Sequence, residues 1–320
     1  MNKQLLLIFS LITIIVLTGC GNKVKNTEDT ETKSEKITIY TTVYPLQYFA
    51  ERIGTDHVEV QSVYPAGADE HTFDPTQKDM MALADADLFF YIGMGLEGFV
   101  ENAEKTMKNE NVKMIATTEA IPEELLDEGH EDEREDEEHE EHDHSGVDPH
   151  VWISPKLSVE LASSIKDALI VSKPESKVEF EKNFEQLKLE LEELDSKFKE
   201  MSLNASTKTF FVSHASFGYI ANSYGLEQIA IAGLNSQSEP SQKQLAEIVK
   251  EAKKHNVQYV LFEQNVSSKL TDVVRKEIGA ESLMLHNLGV LTDDDVNNNE
   301  TYFTLMNKNI ETLKKALSAK

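Results

Sequence analysis

Residues 180–201 read FEKNFEQLKLELEELDSKFKEM, and their apolar side chains recur in alternating steps of four and three. This spacing places them along one face of a helix. A dimeric coiled coil uses the same heptad spacing, but three heptads are short for one, and phenylalanine suits packing on a globular surface better. We therefore predict one long connecting helix, residues 173–204, that lies as a rigid spine across two lobes. The apolar stripe consists of Phe180, Phe184, Leu187, Leu191, Leu194, Phe198 and Met201.

On both sides of this helix, short runs of β-branched and aromatic residues alternate with helical patterns. Such alternation predicts βαβ units and parallel sheets. We predict an α/β fold of two lobes, residues 37–172 and 205–320, with parallel sheets that are flanked by helices. The predicted strands are 36–43, 57–63, 87–93 and 112–116 before the helix, and 208–213, 226–232, 257–262 and 282–285 after it.

The start of the chain has the features of an export signal. An apolar run at residues 5–17 is too short for a membrane span but fits the apolar region of a signal peptide. It leads into Leu-Thr-Gly-Cys, the form of a bacterial lipobox, and Cys20 is the only cysteine. We predict a signal peptide over residues 1–19, a lipid on Cys20 and a polar tether over residues 20–36. The protein would then lie on the extracellular face of a Gram-positive-type cell membrane; a retained transmembrane anchor is the alternative.

The formal net charge of −26 is unevenly distributed. Residues 123–143 hold fourteen acidic side chains against one arginine. No basic stripe with interleaved aromatic residues occurs, so nucleic-acid binding has no support. We predict that residues 122–146 form an acidic loop that binds zinc weakly at several places; the alternative is a solvated run of charge without a specific role. The histidines of this loop are His130, His139, His142 and His144.

Three other histidines stand at strand-to-helix junctions. His71 lies in GADEHTFDPTQ, His150 lies in DPHVWISP, and His214 directly follows a predicted strand. In open parallel sheets, ligands bind beyond the carboxyl ends of the strands, so we predict that the three form one metal site between the lobes. Imidazole ligands suit zinc. Ordinary packing or surface roles are predicted for the remaining histidines, which are His57, His255 and His286.

The motifs GADEHTFDP, DPHVW and SHASFGY follow a lipobox in this order, and together they resemble the solute-binding lipoproteins of ABC-type zinc and manganese uptake systems. The resemblance covers the whole mature body. It implies two α/β lobes, a rigid connecting helix, and a metal held in the cleft by His71, His150 and His214. It also implies delivery of the ion to a membrane permease that a cytoplasmic ATPase drives. We predict a monomer.

The resemblance further implies that manganese-type members have a glutamate in the place of His214. This position therefore favours zinc, with manganese as the alternative cargo. Some members carry an acid in the stretch that matches residues 288–292, where this chain has Gly289. The fourth ligand is therefore open, with Glu70 or a water molecule preferred over Asp293 or Asp294.

Three histidines around an open position also serve zinc enzymes. A secreted zinc-dependent hydrolase or hydratase, with Glu70 or Glu263 as the base, is therefore the alternative from another class. A metal-binding surface adhesin is a third alternative. The lipid anchor and the two-lobe plan favour a carrier, and we predict that the protein is not an enzyme.

Overall fold

The computed structural model describes residues 36–126, 146–266 and 269–318. Several predictions made from the sequence lie outside these residues: the signal peptide, the lipid on Cys20, the tether and nearly all of the acidic loop. The four loop histidines that lie outside are His130, His139, His142 and His144.

The first lobe contains one four-stranded parallel sheet in the order β2-β1-β3-β4. Its strands are β1 (Ile37–Thr41), β2 (Val58–Ser62), β3 (Leu88–Tyr91) and β4 (Lys113–Ala116). Its helices are α1 (Tyr44–Gly54), α2 (Gln77–Ala84), α3 (Val100–Met107) and α4 (Pro155–Ser172). The 3-10 turns are Thr55–His57, Thr117–Ala120, Glu123–Leu125 and Val151–Ile153.

The long helix α5 spans Lys177–Asn204 after a 3-10 turn at Pro174–Ser176. This face of the helix packs against α4, α1 and the C-terminal helix. All seven residues of the apolar stripe are therefore buried. Arg52 of α1 binds the Glu190 carboxylate through both guanidinium Nη atoms, at 2.9 and 2.8 Å. The helix therefore packs against both lobes, with the Arg52–Glu190 pair fastening it to α1 of the first lobe.

The second lobe repeats the sheet order of the first, as β6-β5-β7-β8, and all its strands are parallel. These are β5 (Thr209–His214), β6 (Glu227–Ala232), β7 (Tyr259–Phe262) and β8 (Glu281–Met284). The helices are α6 (Gly218–Tyr224), α7 (Gln242–Lys254), α8 (Lys269–Ile278), α9 (Asp293–Asn297) and α10 (Tyr302–Leu317). The predicted α/β fold of two parallel sheets with one long helix between them is confirmed. Within the described residues, no helix is both long and apolar enough to cross a bilayer.

The segment that follows β8, residues 287–291, runs against the first lobe, and we call it the interlobe seam. Every second carbonyl group of the seam accepts a hydrogen bond from the first lobe. Together with α5 and a hydrophobic core that continues from the first lobe into α10, these bonds should restrict rigid-body motion between the lobes. The bonds run from Trp152 Nε1 to Asn287 (2.7 Å), from Tyr44 N to Gly289 (2.9 Å) and from Gly67 N to Leu291 (2.9 Å).

Candidate metal centre

Both sheets have a topological switch point between their two central strands, where chain connections leave in opposite directions. Ligand crevices form at the carboxyl ends of strands at such points. His214 is the last residue of β5, at the switch point of the second lobe. His71 lies in the loop between β2 and α2, and His150 directly precedes the 3-10 turn that leads into α4. The first lobe thus contributes two loop histidines, and the second contributes one histidine from a strand end.

The three predicted histidines converge. The Nε2 atoms of His71 and His150 are 3.2 Å apart, and those of His150 and His214 are 3.4 Å apart. Two nitrogens bound at 2.0–2.1 Å to one tetrahedral zinc ion lie about 3.3 Å from each other. The spacing therefore suits one shared ion. Within residues 36–126, 146–266 and 269–318, this is the one group of three or more potential ligands whose donor atoms all lie within 4.8 Å of one another.

Carboxylates hold the opposite nitrogens of two of these rings. His150 Nδ1 lies 2.7 Å from Asp148 Oδ1, and His214 Nδ1 lies 2.7 Å from Glu263 Oε2; the second contact is equally short but lacks the alignment of a hydrogen bond. A carboxylate at Nδ1 keeps the proton there and leaves the Nε2 lone pair free for a metal. With all three Nε2 atoms unprotonated, their lone pairs would repel one another across 3.2–3.4 Å, and a bound cation would relieve this repulsion.

Sequence reasoning missed the orienting role of both carboxylates. Asp148 could have been found, because it lies two residues before His150 in the same motif and also accepts the His150 backbone N–H at 2.9 Å. Glu263 was considered only as a base. It follows β7 directly, and β7 pairs with β5, so the predicted strands already brought it near His214.

The Glu263 carboxylate is buried and its oxygens are occupied. It accepts hydrogen bonds from Ser213 Oγ at 2.6 Å and from Ser216 Oγ at 2.7 Å, in addition to its contact with His214. Burial raises the pKa of Glu263, but the attraction of His214 and these hydrogen bonds outweigh it, so the pKa lies below its ordinary value. A carboxylate that is committed in this way is poorly placed to take a proton from a metal-bound water.

The first lobe has an equivalent carboxylate at its own switch point. Glu97 is buried and accepts from Thr42 Oγ1 at 2.8 Å and from the backbone N–H groups of Ile92 and Gly93. Thr42 directly follows β1, and Ser213 lies near the end of β5, the strand with the same place in the other sheet. The two lobes therefore share a hydroxyl–carboxylate pair, but only in the second lobe does the carboxylate also contact a histidine.

The electrostatic surroundings differ between the histidines. Burial and the neighbouring imidazoles of His150 and His214 lower the pKa of His71 to about 2, so this ring is neutral at physiological pH. Burial also lowers the pKa of His214, but the adjoining Glu263 carboxylate outweighs it, and the pKa lies above its ordinary value. A proton that competes with the metal therefore resides on His214 more readily than on His71.

The structure does not bring Glu70 into the three-histidine group. Its carboxylate is buried, and Oε1 accepts a hydrogen bond from Asn287 Nδ2 of the interlobe seam at 3.0 Å. A Cβ atom on Gly289 would lie 2.5 Å from the same oxygen, so Glu70 fills the room that a side chain at position 289 would take. Burial raises the pKa of Glu70 to about 7. Asp293 and Asp294 are exposed at the start of α9 and also lie outside the group.

The other three described histidines have separate partners and none belongs to the group. Each contacts a carboxylate on a neighbouring element or turn, which gives it an ordinary structural role. The pairs are His57 with Glu179 at 3.0 Å, His255 with Glu251 at 3.0 Å, and His286 with Asp295 at 3.1 Å.

A contact between loops closes the cleft above the histidines. Asp69 Oδ1 accepts the backbone N–H of His71 at 2.9 Å, while Oδ2 accepts Ser236 Oγ of the second lobe at 2.8 Å and Gln237 Nε2 at 3.3 Å. His150 and His214 are fully buried, whereas His71 is partly exposed. We therefore expect an ion to leave past His71 and this loop contact.

Replacing Ser236 with alanine should speed zinc release about tenfold, because it removes one hydrogen bond to a carboxylate, worth about 1.5 kcal/mol, from the closed cleft. Zinc dissociation into excess chelator, followed by stopped flow, measures this. Ser238→Ala is the matched control, since Ser238 lies exposed in the same loop. Equal release rates for Ser236→Ala and the unmodified protein would show that the contact does not control the exit.

The chain matches the family described as zinc-uptake complex component A, periplasmic (ZnuA), over residues 39–316. The chain belongs to this family. The resemblance that the three histidine motifs indicated is thereby confirmed, and members of the ZnuA family are solute-binding components of uptake systems.

Curated relatives agree with this assignment. The high-affinity zinc uptake system protein ZnuA of Bacillus subtilis is 34% identical over 306 residues, which cover 96% of this chain and 95% of the relative. The zinc-binding lipoprotein AdcA of Streptococcus pneumoniae is 34% identical over 312 residues, which cover 98% of this chain and 60% of AdcA. The chain thus spans about three fifths of the length of the AdcA proteins that it matches.

Solved structures share the ZnuA-like fold. The Zn(II)-bound ZnuA-like domain of Streptococcus pneumoniae AdcA is 32% identical, with a TM-score of 0.73. The match covers 89% of this chain and all of that domain. The laminin-binding protein Lmb of Streptococcus agalactiae, described as an adhesin with metal-transporting activity, is 27% identical with a TM-score of 0.77. That match covers 88% of this chain and all of Lmb.

Proposed function

We propose that this protein is an extracytoplasmic zinc carrier that captures the ion in the interlobe cleft and delivers it to an ABC-type membrane permease with a cytoplasmic ATPase. The observation that carries the proposal is the convergence of three Nε2 atoms at 3.2 and 3.4 Å. His71, His150 and His214 would bind the ion directly, and the fourth position would go to water or to Glu70. The name of the Bacillus subtilis relative supports a role in uptake.

The donor set supports zinc over manganese. Imidazole suits zinc, whereas carboxylates and water suit manganese. Among the described residues, the group contains three imidazoles and no carboxylate. The name of AdcA and the zinc-bound structure of its ZnuA-like domain agree with this choice.

The surroundings of the site argue against the hydrolase or hydratase. Such an enzyme needs a base within hydrogen-bond reach of the metal-bound water. Glu263 is occupied by two serines and His214, and Glu70 is bonded to Asn287. Membership of a family of solute-binding transport components also supports a carrier.

We further propose that the acidic loop gathers cations weakly beside the cleft, through His130, His139, His142 and His144, and does not form the tight site. Cys20 would carry the lipid anchor, and the folded body would act as a monomer. The high density of carboxylates and histidines in the loop supports a gathering role, while ordering a polar loop around one ion would cost backbone entropy.

Metal titration of the soluble body, residues 26–320, tests the proposed function. We expect one tightly bound zinc ion in chelator competition and weaker binding of manganese. A variant that lacks residues 127–145 should keep the tight ion and bind fewer ions in total. Tighter binding of manganese than of zinc, or hydrolytic turnover by the zinc-loaded protein, would contradict the carrier proposal.

A further inference from the structure

Asn287 is the first residue of the interlobe seam, and its side chain connects polar groups of the two lobes. Its side chain is buried, and its Nδ2 lies 3.0 Å from Glu70 Oε1 and 3.3 Å from Glu263 Oε2. One amide group therefore donates to a carboxylate of each lobe. One of these carboxylates holds His214, and the other is the candidate fourth ligand.

The orientation of the Asn287 amide is fixed by its other atom. Oδ1 accepts from the backbone N–H of Gly289 at 3.0 Å and from Gln264 Nε2 at 2.9 Å. Because a backbone N–H can only donate, the amide oxygen must face Gly289, and the NH₂ group must face the two carboxylates. All the hydrogen-bonding positions of this buried side chain are used, so it is a rigid support.

The same seam provides the space into which Glu70 fits. Gly289 has no side chain, and a Cβ atom there would come within 2.5 Å of Oε1 and 2.6 Å of Cδ of Glu70. The carboxylate is thus held by a donor at position 287 and accommodated by a glycine at position 289. Held in this way, the Glu70 carboxylate is not part of the group of ligand atoms that lie within 4.8 Å of one another.

We propose that Asn287 is a specificity-determining residue, which holds the Glu70 carboxylate back from the ion so that the fourth ligand is water. This inference rests on the proposed zinc-carrier function. A glutamate that lost its donor would have a divalent cation as its best remaining partner. Its entry would add a hard oxygen ligand to the three imidazoles, and hard oxygen ligands favour manganese relative to zinc.

The variant Asn287→Asp tests the proposal, because it keeps the acceptor for Gly289 and replaces the donor by a second carboxylate oxygen that repels Glu70 and Glu263. An effect that acts through Glu263 persists when the Glu70 carboxylate is also removed, whereas an effect that acts through Glu70 does not. We expect the ratio of manganese to zinc affinity to rise about tenfold, within the range that partners of metal ligands usually control. Entry of the Glu70 carboxylate beside the water would raise the coordination number from four to five, so the Co²⁺-loaded variant should absorb visible light more weakly.

The double variant Asn287→Asp with Glu70→Gln is the matched control. It restores the net charge and allows the hydrogen bond in the reverse direction, from the Gln amide to the Asp carboxylate, but it has no carboxylate at position 70. The metal ratio and the Co²⁺ spectrum should return to those of the unmodified protein. Asn183→Asp, on α5 and outside the histidine group, controls for loss of a partly buried amide hydrogen bond.

A second route displaces Glu70 without changing the Asn287 side chain. In Gly289→Ala, the added methyl group takes the room of the carboxylate, so the metal ratio should move in the same direction even if Asn287→Asp does not fold. Equal weakening of both metals in the folded variants would overturn the proposal, since Asn287 would then have only a structural role. Failure of the unmodified protein to bind zinc tightly would instead overturn the proposed function.

Discussion

Replacing His71 with alanine is expected to abolish tight zinc binding while leaving the fold intact. The ring supplies one of three nitrogen ligands, so its loss should weaken affinity by more than the roughly ten- to hundredfold that loss of a ligand's supporting partner causes. His71 is partly exposed, and no carboxylate within the described part of the chain is paired with its ring, so little stability should be lost. Chelator competition measures the affinity, and thermal unfolding measures the stability.

His150→Ala and His214→Ala should lose the ion to the same extent as His71→Ala but should lose more stability. Each of these two rings contacts a buried carboxylate, Asp148 or Glu263, and a buried charge that loses its partner costs about 3–5 kcal/mol. His255→Ala is the control, because its ring pairs with Glu251 four residues earlier and does not belong to the histidine group. Tight zinc binding that survived in any of the three variants would rule out that histidine as a ligand.

Zinc affinity should fall by roughly a hundredfold or more between pH 8 and pH 5, because an imidazole must release its proton before it binds a metal. The pKa of His214 lies above its ordinary value, owing to Glu263. Affinity is therefore fully present well above pH 7 and is lost as the pH falls through the His214 pKa. His71, with a pKa of about 2, stays neutral throughout and contributes no competition.

Glu70 should make the loss of zinc affinity steeper near pH 7. Its pKa of about 7 means that it gains a proton, and loses its attraction for a cation, in the same pH range. Titrating the protein with zinc at several pH values measures the dependence, and Glu70→Gln should remove the part near pH 7. An affinity that stayed constant from pH 8 to pH 5 would contradict ligation by three histidines.

The spacing of side chains along the sequence was sufficient to predict the architecture. The stripe from Phe180 to Met201 predicted the long helix because burial of one helical face leaves a 3–4 period in the sequence. The placement of His71, His150 and His214 after predicted strands was sufficient to group them, because parallel strands end at a common edge. Both inferences depend on periodicity and strand direction, which local sequence carries.

The partners of these histidines depend on contacts that local sequence does not carry. Glu263 reaches His214 because of the register between β5 and β7, and Asn287 reaches Glu70 across 217 residues. Leu288 adopts a positive φ of 60°, which turns the seam in a way that no residue preference indicates. Glu70 fits only because Gly289 has no side chain. This dependence on space can be recognised only when the two loops are placed together.

The hydroxyl–carboxylate pair that recurs in both lobes separates two kinds of mutational damage. Thr42 with Glu97 and Ser213 with Glu263 each link the ends of the two central strands of a sheet. Loss of the Glu97 carboxylate should therefore loosen a strand end and leave the histidines in place. Loss of the Glu263 carboxylate should do the same and also release the His214 ring, so one kind of bond is a matter of stability in the first lobe and of both stability and cargo retention in the second.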